Sequence, residues 1–262
     1  MAAPHRVLVV GALGRMGERV RAAVAAHPEL RLGAALESPG HPGQGETLEK
    51  GVKVGADAAA ALANSDVVID FSVPAATLAH MRAAADKGVA YVTGTTGFDA
   101  AGRAEIAELA KHTPVIHAAN FSLCVNVLVW LAREAARKLG PDFDAELFEI
   151  HHSAKRDAPS GTALRLAEAV AEGRGVKLDE HLVLERAGDT GARPAGAIGV
   201  QTLRGGDNPG EHTVMFVGQG ERIELVHRSA TRDHFAHGAA RAAGWLVGRG
   251  AGLYRLEQVY DL

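Results

Sequence analysis

The shortages in this 262-residue sequence set the first limits. One cysteine, Cys124, leaves no partner for an intramolecular disulfide, so a buried core must hold the fold and a reducing compartment suits the chain. Its neighbours Leu123 and Val125 make Cys124 read as a small buried hydrophobe. No apolar run approaches the roughly 20 residues that a membrane-spanning helix needs, so no membrane partner is expected. The opening MAAPHRVLVVGALG passes from a short apolar stretch straight into glycines, without the pattern of a secretory signal, and a cytoplasmic location is expected. Charge of one sign is also missing: 28 Lys and Arg are interspersed with 31 Asp and Glu, for a net charge of −3. That argues against the basic face demanded by a phosphate backbone, and so against nucleic acid as a partner. The 13 histidines are scattered, and the one adjacent pair has no third ligand at helical or short-loop spacing, so no metal site is expected.

What the chain has is apolar content, 47%, enough for one large core or two modest ones. Short apolar runs at 6–10, 31–36, 66–71, 89–93 and 114–119 alternate with alanine-rich stretches of helical period. Strand, helix, strand connections are right-handed and parallel, so this region predicts an α/β fold, a Rossmann-like doubly wound parallel sheet. After Asn120 the pattern changes. A helix is predicted over 123–139, a strand over 143–152, a helix from Gly161, and two alternating runs, EHTVMFVG and ERIELVHRS, joined at Gly218, Gln219 and Gly220 as an antiparallel hairpin. A helix from about Asp233 and a final apolar segment return to the first domain. The expected organisation is a dinucleotide-binding domain of residues 1–121 plus 233–262. A second α+β domain over 122–232, with a mostly antiparallel sheet, would bind substrate and mediate oligomerisation. The Pro/Gly-rich loop 37–46 suggests flexibility near a ligand.

Behind the first strand stands Gly11-Ala12-Leu13-Gly14-Arg15-Met16-Gly17, a GxxGxxG spacing at the start of a helix. Glycines there let backbone amides reach a pyrophosphate, whose charge the helix start stabilises. Glu37, at the end of the second strand, is placed to accept hydrogen bonds from the adenosine ribose. It would repel a 2′-phosphate, and Ser38 supplies no cation, so NADH is favoured over NADPH, with Arg15 the nearby group able to rescue NADPH. The loops Gly94-Thr95-Thr96-Gly97 and Ala118-Ala119-Asn120-Phe121 also lie at carboxyl ends of strands, where such sheets bind ligands, although each could be a simple turn before a helix.

The segment EIHHSAKRDAPSGTAL, from Glu149 to Leu164, concentrates polar chemistry. Successive strand residues point to opposite faces, so His151 and His152 share a pocket only if the strand ends there. A loop that curls back gathers an imidazole and the Lys155 ammonium around one ligand. Pro159 favours a helix start, leaving the Gly161 and Thr162 amides and the Ser160 and Thr162 hydroxyls to hold a carboxylate. A solvated polar loop with an ordinary cap is the competing reading. Ser160 lacks the GxSxG elbow of a hydrolase.

These motifs, with GALGRMG, GTTGF, AANFS, RGGDNPGEHTVMF and GERIELVHRS, run essentially the whole length of the chain. Together they resemble the 4-hydroxy-tetrahydrodipicolinate reductase family, long called dihydrodipicolinate reductase, of the diaminopimelate route to lysine. HHxxKxDAPSGTA is specific to that family; GxxGxxG is not. The resemblance implies hydride transfer from a dihydronicotinamide to a cyclic imine dicarboxylate with loss of water. It implies His151 as proton donor, Lys155 as a second proton-donating and substrate-binding group, and His152, Gly161 and Thr162 as substrate contacts. It further implies nucleotide contacts from Gly11 to Met16, at Glu37, from Gly94 to Thr96 and from Ala118 to Phe121, closure between two domains, and a homotetramer built through the second sheet. Ser38 departs from the arginine of many relatives and puts dual cofactor use in question. Two rivals stay open: a related dehydrogenase of another small amino or keto acid, which the HHxxK string opposes, and a non-catalytic nucleotide sensor, which intact His151 and Lys155 oppose.

Overall fold

The computed structural model describes residues 3–262. In chain order the elements are β1 (His5–Val10), α1 (Arg15–Ala26), β2 (Leu30–Leu36), β3 (Val54–Gly55), α2 (Ala58–Ala63), β4 (Val67–Asp70), α3 (Pro74–Ala85), β5 (Ala90–Thr93), α4 (Ala100–Leu109) and β6 (Pro114–His117). Then follow α5 (Leu123–Leu139), β7 (Asp144–His151), α6 (Gly161–Arg174), α7 (Leu178–His181), β8 (Leu182–Val183), β9 (Ile198–Arg204), β10 (Glu211–Val217) and β11 (Arg222–Arg228). The chain ends with α8 (Asp233–Leu246), β12 (Gly252–Tyr254) and α9 (Leu256–Tyr260). It divides into two compact units, one ending at Ser122 and resuming over Asp233–Leu262, the other Leu123–Arg232.

The first unit is a seven-stranded sheet in the order β12-β6-β5-β4-β1-β2-β3, with every pairing parallel. Such a sheet buries both faces, and alternate residues of each strand serve opposite layers. Val7, Val9, Ile69, Val92 and Ile116 pack with Val20 and Val24 of α1 and Ala239, Ala243 and Leu246 of α8. Leu8, Val68, Tyr91 and Val115 turn the other way, onto Leu62, Met81 and Ile106 of α2, α3 and α4. The doubly wound sheet predicted from the apolar runs is present. β12 extends it by pairing with β6, so the C-terminal segment completes the first unit. The loop after β2 is pinned by Gly45 N–H to the Val54 carbonyl, Val54 N–H to the Glu46 carbonyl and the Gln44 side chain to the Ser38 carbonyl.

The second unit is a five-stranded sheet, β11-β10-β7-β9-β8. The β10/β11 hairpin forms as predicted, and β10 pairs antiparallel with β7, but β7/β9 and β9/β8 are parallel, so the sheet is mixed. β9 has no counterpart in the sequence reading because Ile198, Gly199 and Val200 are all buried, which erases the alternation that marks a strand. On one face, Leu147, Val200, Val214 and Phe216 meet Leu128, Val129, Ala132 and Ala136 of α5 and Leu166, Ala167 and Val170 of α6. The other face exposes Phe148, Leu203, Val217 and Val226.

One expectation is corrected. Cys124 is exposed. It lies in the first turn of α5, whose buried stripe runs through Val125, Leu128, Val129, Ala132 and Ala136, and helical periodicity turns Leu123 and Cys124 outwards.

Candidate active site

The first cluster sits where β1, β2, β5 and β6 end. Gly11 adopts φ +66°, and the chain folds so tightly that a Cβ at Gly17 would stand 2.0 Å from the Gly11 carbonyl oxygen; only glycine fits the third position of the motif. Glu37, half-buried at the end of β2, accepts the Leu13 N–H at 2.9 Å, which ties the carboxylate to the glycine loop predicted beside it. The N-cap Gly14 makes no side-chain cap bond, so the first turn of α1 presents its amides and its positive end to a ligand. The helix start fits a pyrophosphate and the Glu37 carboxylate a ribose hydroxyl, while the Gly11, Ala12, Leu13 and Gly14 amides are taken by Leu36, Glu37 and Gly11. Arg15 and Ser38 are exposed.

Beside it, the loops after β5 and β6 are joined. The Ala118 N–H donates to the Thr93 carbonyl at 3.1 Å, and His117 Nε2 lies 3.1 Å from the Thr95 carbonyl. The Thr95 hydroxyl is buried against that of Thr77 at 2.8 Å, so its side chain is committed to the fold. Phe121 is buried too, edge-on to Phe71, and its carbonyl accepts the Tyr260 hydroxyl. Gly94 and Asn120 are half-buried, whereas Thr96 and Ala119 are exposed. Of these predicted contacts, Thr95 and Phe121 therefore have only backbone atoms to offer.

The second cluster lies wholly in the second unit, at the end of β7. The strand does end at His151, as the pairing of adjacent histidines requires. His151 is buried, whereas His152 is half-buried beyond the strand, with its N–H on the Asn208 carbonyl and Nε2 3.3 Å from the Arg232 guanidinium. Lys155 holds Asp157 through both carboxylate oxygens, at 2.9 and 2.8 Å. Ser160 caps α6, its hydroxyl accepting the Ala163 N–H at 3.1 Å. Gly161 is exposed at the first helical position, where no carbonyl one turn back exists for its amide, and Thr162 follows it half-buried. The loop returns by three backbone bonds: Gly205 N–H to the His151 carbonyl, His152 N–H to that of Asn208 and Ser153 N–H to that of Gly206.

Beneath these residues are four more, to which the sequence motifs assign no role. Glu149, with no exposed side-chain surface, faces His151 Nδ1 at 2.5 Å and accepts the Ser160 N–H at 3.0 Å. Arg204, at the end of β9, clamps the same carboxylate through two nitrogens, at 2.9 and 3.1 Å, and reaches the Asp157 carbonyl. His212, from β10, is 3.2 Å from the Ser160 hydroxyl and edge-on to His151, with ring centroids 5.2 Å apart. Arg232 borders His152. Glu149 precedes His151 by two, so strand periodicity puts both on one face and could have revealed the pair. Arg204 and His212 are brought in by cross-strand pairing of β7 with β9 and β10, which no local spacing encodes.

Burial pushes the Glu149 carboxyl up, but Arg204, His151 and the Ser160 amide outweigh it and hold the group below the usual carboxylate range. For His151, burial lowers the imidazole, Glu149 opposes that, and Lys155 and Arg204 add to it, leaving it below its ordinary value. His212 is driven to about 3 by burial and then by the charge of His151, so it stays neutral. Among the described residues no group of His, Cys, Asp and Glu has the arrangement of a metal site. The arrangement is an acid of tunable strength beside an ammonium and a helix start, a setting for proton donation to a bound anion.

Comparison with known proteins agrees with this geometry. Residues 5–121 match the family model "Dihydrodipicolinate reductase, N-terminus" and residues 124–260 match "Dihydrodipicolinate reductase, C-terminus". The chain is 49% identical to a 4-hydroxy-tetrahydrodipicolinate reductase of Desulfotalea psychrophila over 98% of both chains. It is 45% identical to one of Acinetobacter baumannii over 100% of this chain and 98% of the other. Among solved structures, a dipicolinate-bound dihydrodipicolinate reductase from Paenisporosarcina shares the fold at TM-score 0.79 and 23% identity, covering 96% of this chain and 97% of that one. A myo-inositol 2-dehydrogenase from Lactobacillus plantarum shares it at TM-score 0.62 and 13% identity, over 93% and 88%. By these matches over both halves, the chain belongs to the 4-hydroxy-tetrahydrodipicolinate reductase (dihydrodipicolinate reductase) family.

Proposed function

We propose that the chain reduces 4-hydroxy-tetrahydrodipicolinate, with loss of water, to tetrahydrodipicolinate, in lysine and diaminopimelate biosynthesis. The observation that carries the reading is the set at the end of β7: a buried imidazole engaged by a carboxylate, a lysine ammonium and the start of α6, all in one short segment. A bound dihydronicotinamide supplies the hydride. The glycine loop from Gly11 to Met16 holds the pyrophosphate and Glu37 the ribose, with the loops from Gly94 to Thr96 and from Ala118 to Phe121 completing the cofactor site.

Hydride addition to a conjugated imine leaves an electron pair that one proton must quench. His151 gives that proton from Nε2, because Nδ1 is occupied by Glu149. Lys155 is the second proton-donating group and pairs with substrate carboxylate in exchange for Asp157. His152, Gly161 and Thr162 hold the dicarboxylate at the helix start, where amides and the positive end of α6 stabilise negative charge, while Ser160, buried with its N–H on Glu149 and its hydroxyl engaged by Ala163 and His212, serves them by capping α6. The dipicolinate carried by the Paenisporosarcina relative is a planar dicarboxylate of the same class.

On this reading the first unit binds the dinucleotide and the second binds substrate. The apolar outer face of the second sheet, with Phe148, Leu203, Val217 and Val226, is covered by copies of itself in a homotetramer. NADH is preferred, since Glu37 disfavours a 2′-phosphate and Ser38 offers no cation. With one cysteine, exposed at position 124, the chain is suited to the cytoplasm.

The test supplies freshly made product of the preceding synthase and follows cofactor oxidation with NADH and with NADPH. Turnover inhibited by pyridine-2,6-dicarboxylate supports the reading. Intact dinucleotide binding without turnover would leave a nucleotide sensor instead.

A further inference from the structure

We infer that Glu149 is the positioning residue of the reaction: it fixes which nitrogen of His151 faces the substrate and locks that imidazole to the start of α6. The inference rests on the reading of His151 as proton donor and goes beyond it.

Glu149 is a carboxylate with no exposed side-chain surface and with each oxygen assigned to a different task. Oε2 faces His151 Nδ1 at 2.5 Å; Oε1 accepts the Ser160 N–H at 3.0 Å and lies 3.4 Å from the Thr202 hydroxyl. Arg204 spans both oxygens. A carboxylate only accepts, so His151 must carry its proton on Nδ1. The neutral imidazole then leaves Nε2 bare on the ring edge away from Glu149, and a proton stands on Nε2 only in the imidazolium, which Glu149 stabilises. Glu149 thus couples acid strength to direction: His151 cannot present a proton from Nε2 as the neutral tautomer.

The Nε2 edge of the ring is confined as well. A Cβ at Gly210 would stand 2.7 Å from His151 Nε2, so the glycine of the returning loop is what leaves that nitrogen room. Through Ser160, the same carboxylate sets where α6 begins relative to the imidazole. The groups that face His151 are Glu149 on its own strand, Lys155 and Arg204 from the adjoining loop and β9, and His212 from β10. Of these, Glu149 alone is negative.

Glu149→Gln tests this with little change of shape. A Gln oxygen can keep the Ser160 and Arg204 Nη2 contacts on the Oε1 side, while the Arg204 Nη1 bond on the Oε2 side is given up. The amide nitrogen then faces His151 and donates to Nδ1, reversing the tautomer. The expected result is a folded enzyme with kcat lowered about tenfold or more, part of the roughly 10²–10⁴-fold worth of a general acid. KM for the dicarboxylate should change little. The falling limb of the kcat–pH profile should move to lower pH, because the imidazolium has lost its counter-charge. Glu149→Asp, which keeps the charge, should recover part of both effects. Nitrogen-15 histidine spectra should report Nδ1–H for His151 in the wild type and Nε2–H in Glu149→Gln, independently of activity.

His151→Gln run alongside separates the two ideas. If His151→Gln loses kcat and Glu149→Gln keeps wild-type kcat, pH limb and tautomer, the positioning inference is overturned and the acid assignment stands. If His151→Gln itself keeps full kcat, the acid assignment fails and takes the inference with it. A Glu149→Gln enzyme that loses only thermal stability would make the residue structural and would also overturn it.

Discussion

Removing one hydroxyl, in Ser160→Ala, perturbs two contacts whose costs follow from their geometry. The Ser160 hydroxyl accepts the Ala163 N–H at 3.1 Å as the cap of α6 and is the hydrogen-bond partner of His212 Nε2 at 3.2 Å. Loss of a serine cap costs about 1 kcal/mol. His212 is 4% exposed and among the described residues its Nδ1 has no partner, so Nε2 would be orphaned in the same ring, at a further cost of about 1–2 kcal/mol. The sum, about 2–3 kcal/mol, corresponds to a Tm lower by roughly 4–12 °C for a chain of this size. Thermal unfolding followed by circular dichroism is the assay, at one fixed protein concentration because the Tm of any assembly depends on it. Ser160→Thr, which keeps the hydroxyl, should restore most of the loss. A Ser160→Ala protein that melts with the wild type would refute both the cap and the buried histidine contact.

Three further outcomes follow from the same reasoning. Gly17→Ala drives a methyl to 2.0 Å from the Gly11 carbonyl oxygen, and calorimetry should find dinucleotide affinity reduced at least about tenfold. Pyridine-2,6-dicarboxylate should still bind, and unchanged dinucleotide affinity would show that the glycine loop does not form the site. His212 ionises at about 3 in the fold and near 6.5 when unfolded, so the unfolded chain binds the extra proton. Its contribution is full above pH 6.5 and is lost as pH falls towards 3, by up to about 1.4 kcal/mol per pH unit. Denaturant titrations of His212→Gln should therefore show a shallower loss of stability from pH 6.5 to 5 than the wild type, and parallel slopes would place His212 outside this linkage. Ser38→Arg should raise kcat/KM with NADPH; no gain would mean that the 2′-phosphate is read elsewhere, with Arg15 the first residue to test.

Much of the fold could be read from periodicity because the parallel strands are short apolar runs set between helices. Val7 and Val9 against Leu8 show the two-sided burial that such runs imply. Elements too short for a period escaped: β3 and β8 have two residues each. β9 escaped for a different reason, since three consecutive buried residues cannot be told from a helix or a turn. The helix start at Gly161 and the end of β7 at His151 were legible from Pro159 and the polar run. What holds them was not: Arg204 lies 55 residues from Glu149, and His212 lies 52 from Ser160. Such contacts depend on strand register, which the sequence specifies only through the whole sheet. The apolar neighbours Leu123 and Val125 do not bury Cys124, because in a helix it is residues three and four apart that share a face.

The most direct test of the central claim follows the label. With dihydronicotinamide cofactor deuterated at the transferable position and freshly made synthase product, tetrahydrodipicolinate should carry one deuterium per cofactor oxidised, and His151→Gln should slow its formation without altering the label. Cofactor oxidation without deuterium in the product, or no oxidation while both ligands bind, would contradict the assignment of this chain as the reductase.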